Sequence, residues 1–313
     1  MKVFSLFVIV LLSLFSTSVN VLEAATGFSL SPMFQTITLS DETSQEFSVT
    51  VSNDTTAVAT FRLSVLDFGS LDESGGVAFL GAPSVLEKKY SLASWMHPET
   101  DTVTLAPGGT ETVTVTIENR PDLSPGGHYA GLLFTYADEG DSPVDNNRIA
   151  VNQIFSVLVF VKKQGGELYG LELVEQTWER TIFSLSQKFQ LRFKNTGNVH
   201  VVPRGHILLT DPLGRVVREG IVNEGSAIIL PETFRGFPVI LTEQAWAFLP
   251  GRYTLTLRYR HDDREGFTVV TDHLVFIPFP AMLSILILLG GGGWYAARRQ
   301  RNTGERGSNS HSV

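Results

Sequence analysis

Apolar and polar residues alternate along much of the chain. In "FSVTV" Phe47, Val49 and Val51 fall on one side and Ser48 and Thr50 on the other. Successive side chains of a strand point to opposite faces, so a period of two predicts a strand with one face buried. The pattern returns in "VTVTIE", with Val113, Val115 and Ile117 inward, and in "FQLRF", with Phe189, Leu191 and Phe193. It returns again in "YTLTLRY", with Tyr253, Leu255, Leu257 and Tyr259. Convincing helical periodicity is absent between the two apolar ends of the chain, which predicts an all-β body.

Three strands close on asparagine, at Asn53, Asn119 and Asn195. Asparagine suits a turn because it tolerates left-handed backbone and bonds its own main chain. A second unit also recurs: Pro-Gly, a short spacer, tyrosine, then apolar residues, in "SPGGHYAGLLF" (Ser124 to Phe134) and "LPGRYTLTL" (Leu249 to Leu257). Matching Tyr129 with Tyr253 places His128 in the slot that Arg252 fills, so His128 is expected to be an outward polar residue at a strand entrance rather than an acid or base. The repeat divides the body into two β-domains, 26–164 and 165–279, with the boundary near "KKQGGEL" (Lys162 to Leu168). Short alternating strands with Gly, Pro and Asn turns predict two antiparallel immunoglobulin-like β-sandwiches, with an up-and-down barrel as the alternative.

The ends read differently. Lys2, the apolar "VFSLFVIVLLSLF", the polar "STSVN" and the small pair Ala24 and Ala25 form a signal-peptide pattern over residues 1–25, with an uncleaved anchor as its rival. Residues 280–297 carry no charge and, at about 1.5 Å rise each, reach about 27 Å, enough to span a bilayer as a transmembrane helix. Trp294 and Tyr295 fall where an interfacial aromatic belt lies, and Arg298, Arg299 and Arg301 follow. A single-pass protein of the cell membrane is expected, its N-terminal body outside and its basic tail, 298–313, in the cytoplasm.

The formal net charge is −8, and removing the tail, with four arginines against one glutamate, leaves the body near about −11. An acidic body argues against nucleic acid and against anionic lipid. The chain has no cysteine, which excludes disulfides, thiolate metal sites and a cysteine nucleophile. An exported protein without disulfides points to a bacterial surface.

Candidate chemistry is sparse. His97, His128, His200, His206, His261, His273 and His311 are scattered singly, without zinc spacing. "ADEGDSPVDNNR" gathers Asp138, Glu139, Asp141 and Asp145, oxygens that could hold calcium, but a charged hairpin loop accounts for the same residues. "HDDRE" (His261 to Glu265) reads as a polar hairpin tip. GxSxG and Walker patterns are absent, as is the LPxTG of wall-sorting signals; Pro278 and Pro280 flank Phe279 where a PEP-type signal has glutamate. No residue is assigned to catalysis, cofactor binding or metal binding, and no cofactor is expected.

The layout resembles the WxL-interacting proteins of Gram-positive surfaces. The resemblance runs over nearly the whole chain and is carried by "FSLSPMFQTITLSDETSQEFSVTVSNDT" (Phe28 to Thr55), "VTLAPGGTETVTVTIENRPDLSPGGHYAGLLF" (Val103 to Phe134) and "FLPGRYTLTLRYR" (Phe248 to Arg260). These stretches also resemble the edges and turns of pilus-chaperone domains. The resemblance implies a first sandwich that binds peptidoglycan or another wall polymer and a second that binds a secreted surface protein. The expectation is therefore a non-enzymatic surface binder; the alternatives are a membrane-tethered enzyme with a spatially assembled site, and a structural spacer.

Overall fold

A computed structural model describes residues 27–80, 89–137 and 154–307. The signal-peptide region 1–25, the acidic loop with Asp138, Glu139, Asp141 and Asp145, and His311 lie outside the described residues. The first ten strands are β1 (Phe28–Ser31), β2 (Phe34–Leu39), β3 (Ser44–Asn53), β4 (Ala59–Ser70), β5 (Val77–Phe79), β6 (Met96–Pro98), β7 (Thr102–Leu105), β8 (Thr110–Glu118), β9 (Gly126–Ala137) and β10 (Ile154–Lys163). The next eight are β11 (Leu171–Arg180), β12 (Leu185–Asn195), β13 (Pro203–Thr210), β14 (Val216–Val222), β15 (Phe234–Ile240), β16 (Thr242–Glu243), β17 (Gly251–His261) and β18 (Thr268–Phe276). Helix α1 (Phe279–Gly307) follows.

These strands make two β-sandwiches of immunoglobulin-like type. In the first, the sheet β1-β3-β8-β6 faces the sheet β2-β10-β9-β4-β5, with β7 also on β4. In the second, β11-β12-β15 faces β16-β14-β13-β17-β18. The period of two explains the cores: Phe47, Val49 and Val51 enter the first with Val113, Val115 and Ile117, while Phe189, Leu191 and Phe193 enter the second with Tyr253, Leu255, Leu257 and Tyr259. Each such side chain stabilises the fold by about 1.5–3 kcal/mol relative to exposure. Pairing departs from the antiparallel expectation at β2, which runs parallel to β10. The chain crosses from one sheet to the other between β1 and β2, so β2 meets β10 running the same way.

Two strands break the alternation. Residues 126–134 of β9 are all buried, and β10 buries Val157, Val159 and Val161 on one face and Phe160 on the other. One face of this sheet packs in the first core, and the other turns to the second sandwich. α1 leaves the second sandwich at its last strand. Its segment Phe279–Arg299 has mean hydropathy 1.5 and is unburied by the protein, long and apolar enough to cross a membrane. The helix runs on through Gly307, so the start of the basic tail is helical.

The strand-closing asparagines do more than turn the chain. Asn53 and Asn195 are fully buried, and neither adopts left-handed backbone. The Asn195 amide donates to Val199 O at 2.7 Å and Ile229 O at 3.0 Å, while its carbonyl accepts from Gly197 N at 2.9 Å. Asn53 donates to the carbonyls of Ala57, Leu105 and Ala106 and accepts from Thr55 N. Each ties its strand end to a neighbouring connection. Asn119, half-buried, donates to Ser40 O and Glu42 O at 2.7 Å.

Asn195→Ala strands two buried carbonyls, at a cost of about 1–3 kcal/mol for each buried group left unpaired. Asn195→Asp costs more, because an ionised carboxylate faces those carbonyls and donates nothing. Urea unfolding of the three proteins is expected to rank them wild type, Ala, Asp; an Asp variant as stable as wild type would show that the donated bonds contribute nothing.

Candidate functional site

The Pro-Gly units match in the structure one residue away from the expected register. Gly126 and Gly251 both have positive φ, 126° and 144°, and both open a strand. Counted from these glycines, His128 takes the place of Tyr253. The Tyr253 hydroxyl donates to Leu249 O at 2.8 Å, four residues back. His128 Nε2 lies 2.7 Å from Ser124 O, also four residues back, and Nδ1 lies 3.0 Å from Ser91 O. His128 is 1% exposed, so its outward placement is corrected: it is a buried strut holding the entrance of β9. Burial lowers its pKa, opposed by the carbonyls of Ser124 and Ser91.

Tyr129, moved to the next position, faces the other way. It joins Phe68 and Phe160 in a third apolar cluster between the sandwiches, with Tyr90, Leu158, Ile228 and Leu230 packed around them. Its hydroxyl lies 3.3 Å from Nδ1 of the buried His200. Burial raises the Tyr129 pKa well above its ordinary value. Burial, helped by the charge of Lys162, pushes His200 down to about 3. Gly127 N donates to Asn198 O at 2.8 Å, and Asn198 Nδ2 reaches back to Gly166 O at 2.9 Å.

At the rim of this seam Glu73 takes Arg192 bidentately at 2.6 Å, and Glu232 receives Lys89 at 3.0 Å and the Tyr90 hydroxyl at 2.7 Å. Such solvent-screened pairs contribute little, so cohesion rests on the buried rings. In the β4–β5 turn at this rim Gly75 has φ +101°, and a Cβ there would meet the Arg235 guanidinium, so the turn approaches the second sandwich closely.

Beside the seam lies a cleft of about 370 Å³, lined by Phe34, Phe68, Leu158, Phe160, Phe234 and Arg235 among others. Its lining is mainly apolar, with Ser70, Ser226, Thr233 and Arg235 as its polar side chains, and Arg235 Nη1 donates to Ile228 O at 2.7 Å. The cleft abuts β2, an edge strand. Leu158 N donates to Met33 O and Gln164 N to Leu39 O, so the odd-numbered residues of β2 face β10. The N–H and C=O groups of Phe34, Thr36 and Thr38 therefore point away from the sheet.

The longer edge strands differ in how they are guarded. β11 carries Glu172, Glu175 and Glu179 and has two register shifts. β15 holds Pro238, and its Gly236 N is taken by Glu73 O at 2.8 Å. β18 has Asp272 in its length. β2, "FQTITL", has no charge, no proline and no bulge, and Phe34 is 62% exposed at its start. Charges, prolines and bulges are what block an edge from pairing with another chain, and β2 has none.

The other histidines are not gathered. His97 lies 3.5 Å from Glu118, His261 stacks on Tyr169, His206 lies against Phe267, and His273 lies 3.3 Å from Thr254 Oγ1. Among the described residues no group of three or more His, Cys, Asp or Glu is placed to hold a metal. The "HDDRE" turn carries ion pairs: Asp262 with Arg204 at 2.8 Å, and Asp263 with Lys162 across the seam at 3.6 Å. The seam itself had a signal in the sequence, because "YAGLLF" and "VLVFV" are unbroken apolar runs, the mark of a strand buried on both faces.

No family model and no curated protein matches the chain. Among solved structures it is similar to a chain of a chaperone-tip adhesin complex of CFA/I fimbriae biogenesis, at 10% identity over 79% of this chain and 98% of that one, with a TM-score of 0.44. It is similar to the class 5 fimbriae chaperone CfaA at 11% identity, over 79% and 99% of the two chains, with a TM-score of 0.42. The Pseudomonas aeruginosa CupB2 chaperone matches at 11% identity over 79% and 100%, with a TM-score of 0.37. At such scores the fold stands on the strand pairing itself. The resemblance to WxL-interacting proteins stays with the sequence motifs.

His200 predicts how stability varies with pH. It is neutral in the folded protein, with a pKa of about 3, and about 6.5 when unfolded. Its contribution is complete above about pH 6.5 and is lost as pH falls toward 3, because only the unfolded chain takes up the proton. Between pH 7.5 and pH 5 it accounts for a loss of about 2 kcal/mol. His200→Phe is expected to flatten that part of the dependence, measured as urea midpoints at the two pH values.

Proposed function

We propose that the chain is a membrane-anchored, non-catalytic surface protein that holds an exported protein by strand addition at β2. On this reading residues 1–25 direct export, 26–164 and 165–279 are the two units, 280–297 span the membrane and 298–313 lie inside. The observation that carries it is the unguarded edge beside an apolar cleft. An extended segment continuing the β2 sheet pairs with the outward N–H and C=O groups of Phe34, Thr36 and Thr38. The main chain then supplies affinity, and the cleft supplies specificity by taking an apolar side chain next to Phe34. Arg235 at the cleft wall favours a partner that brings a carbonyl or carboxylate there.

Of the two partner classes expected from the sequence, the edge favours the protein. A polysaccharide strand has no regular run of amide donors and acceptors with which to extend a β-ladder. A spacer needs no open edge at all, and natural edges without a partner are normally blocked.

Thr36→Pro tests this directly. It removes an outward N–H and leaves the bonds from β2 to β10, so the free energy of unfolding from urea titration is expected to stay within about 0.5 kcal/mol of wild type. A photo-crosslinking residue at Thr38, in the cells that make the protein, is expected to give a discrete adduct with an exported protein, and Thr36→Pro is expected to abolish it. An adduct that survives Thr36→Pro moves the site away from β2. Residue-resolved hydrogen exchange supplies a second check, with fast amides at Phe34, Thr36 and Thr38 in the free protein and slow ones at Gln35, Ile37 and Leu39.

A further inference from the structure

The end of the second sandwich nearest α1 has an apolar rim. Strand register and one hydrogen bond locate that end. Gly251 lies opposite Phe276, and Thr210 opposite Thr254, so the β13–β14 turn and the approach to β17 stand at the end where β18 finishes. Ile277 N donates to Ile182 O at 2.7 Å, which brings the β11–β12 turn to the same end. Pro212 packs against Gly251, and Arg215 lies over Phe248, 4.9 Å from its centroid. Three turns thus meet around the root of α1: "TIFS" (Thr181 to Ser184), "DPLGR" (Asp211 to Arg215) and "AWAFLP" (Ala245 to Pro250).

Ile182, Phe183, Leu213, Trp246 and Phe248 project from them, between 43% and 76% exposed. The charges in these turns are Asp211 and Arg215, and they pair with each other at 2.8 Å. At the other end, the β17–β18 hairpin tip holds Asp262, Asp263, Arg264 and Glu265. An apolar rim at one end and a charged tip at the other is a polarity along the long axis of the sandwich. Trp246 and Phe248 contact each other at 6.0 Å between ring centroids, yet they, Ile182, Phe183 and Leu213 keep 43% to 76% of their surface open.

We infer that this rim is a membrane-docking surface, seated in the interfacial layer of the outer leaflet around the point where α1 enters. The inference rests on the reading of α1 as the membrane anchor. Only Ile277 and Pro278 separate β18 from α1, and at about 3.5 Å per residue the sandwich end starts within about 10 Å of the helix. With no longer linker, the turns around Ile277 stand at headgroup height when the helix spans. Tryptophan and phenylalanine beside a paired arginine suit that layer, where one end of a side chain is apolar and the other wet. Within the three turns the one cation, Arg215, is neutralised by Asp211, which suits zwitterionic lipid, while Arg180 and Arg252 flank the rim on the adjoining strands.

The full chain in phosphatidylcholine vesicles tests it. The protein has no cysteine, so a single cysteine carries a label uniquely. An environment-sensitive fluorophore is placed at Leu213→Cys in the rim, at Leu288→Cys in the helix and at Leu71→Cys, exposed on the first sandwich. Nitroxide-bearing lipid is expected to quench the labels at 213 and 288 and to leave the label at 71 unquenched. Trp246→Ser with Phe248→Ser is expected to reduce quenching at 213 while quenching at 288 holds. Quenching at 288 without quenching at 213 overturns the docking surface and leaves the anchor standing, including the case in which a second copy or another protein covers the rim. Absence of quenching at 288 overturns the anchor, and the docking surface with it.

Discussion

The molecule depends on one strand having two buried faces. β9 sits in the middle of its sheet, with Ala130, Leu132 and Phe134 in the first core and Tyr129 in the seam. A strand of this kind cannot trade one partner for another without exposing an aromatic face, so the two sandwiches hold each other. The register that allows it is set by a pair of glycines. Gly126 takes the positive φ at the strand entrance, and Gly127 comes so close to the Tyr129 hydroxyl that a Cβ would overlap it. His128 then fills the inward slot that Tyr253 fills in the second sandwich, and the tyrosine is released to the opposite face.

The strands with one wet face were legible as alternation, and the buried positions of β3, β8, β12 and β17 follow it residue by residue. His128 was misplaced because similarity of letters outweighed position: the two tyrosines look alike, but the positive-φ glycine is the fixed point of the turn, and counting from it reverses the faces. The asparagines were legible as strand ends. Their burial was not, because an amide that bonds three carbonyls and an amide that caps a turn look the same in one sequence. The seam was written in "YAGLLF" and "VLVFV", whose lack of alternation is itself the signal of a second covered face.

The open edge could not be read from periodicity, because "FQTITL" alternates as well as any interior strand does. Edge status comes from topology. The chain crosses between sheets just before β2, so β2 pairs in parallel with the last strand of its sandwich, and no described strand pairs with its other side. What the sequence does carry is the missing guard. Three glutamates and two irregularities sit on β11, a proline on β15 and an aspartate on β18, while β2 has none of these. The contrast within one molecule is more telling than the bare edge, since three other edges show that this chain uses such guards.

Rigidity at the seam and polarity of the second sandwich have a joint consequence for where binding takes place. Asp263 at the β17–β18 tip pairs with Lys162 of the first sandwich, so the first sandwich sits at the end of the second that is remote from α1. β17 has 11 residues, which at about 3.3 Å each separate the two ends by about 35 Å. A hinged pair of domains would let the edge of β2 sweep a volume about the second sandwich. With Tyr129, Phe68, Phe160 and His200 packed between the sandwiches, the edge is instead carried at a set height. If α1 anchors the protein as proposed, a partner strand added there is presented away from the membrane, at the end opposite the apolar rim.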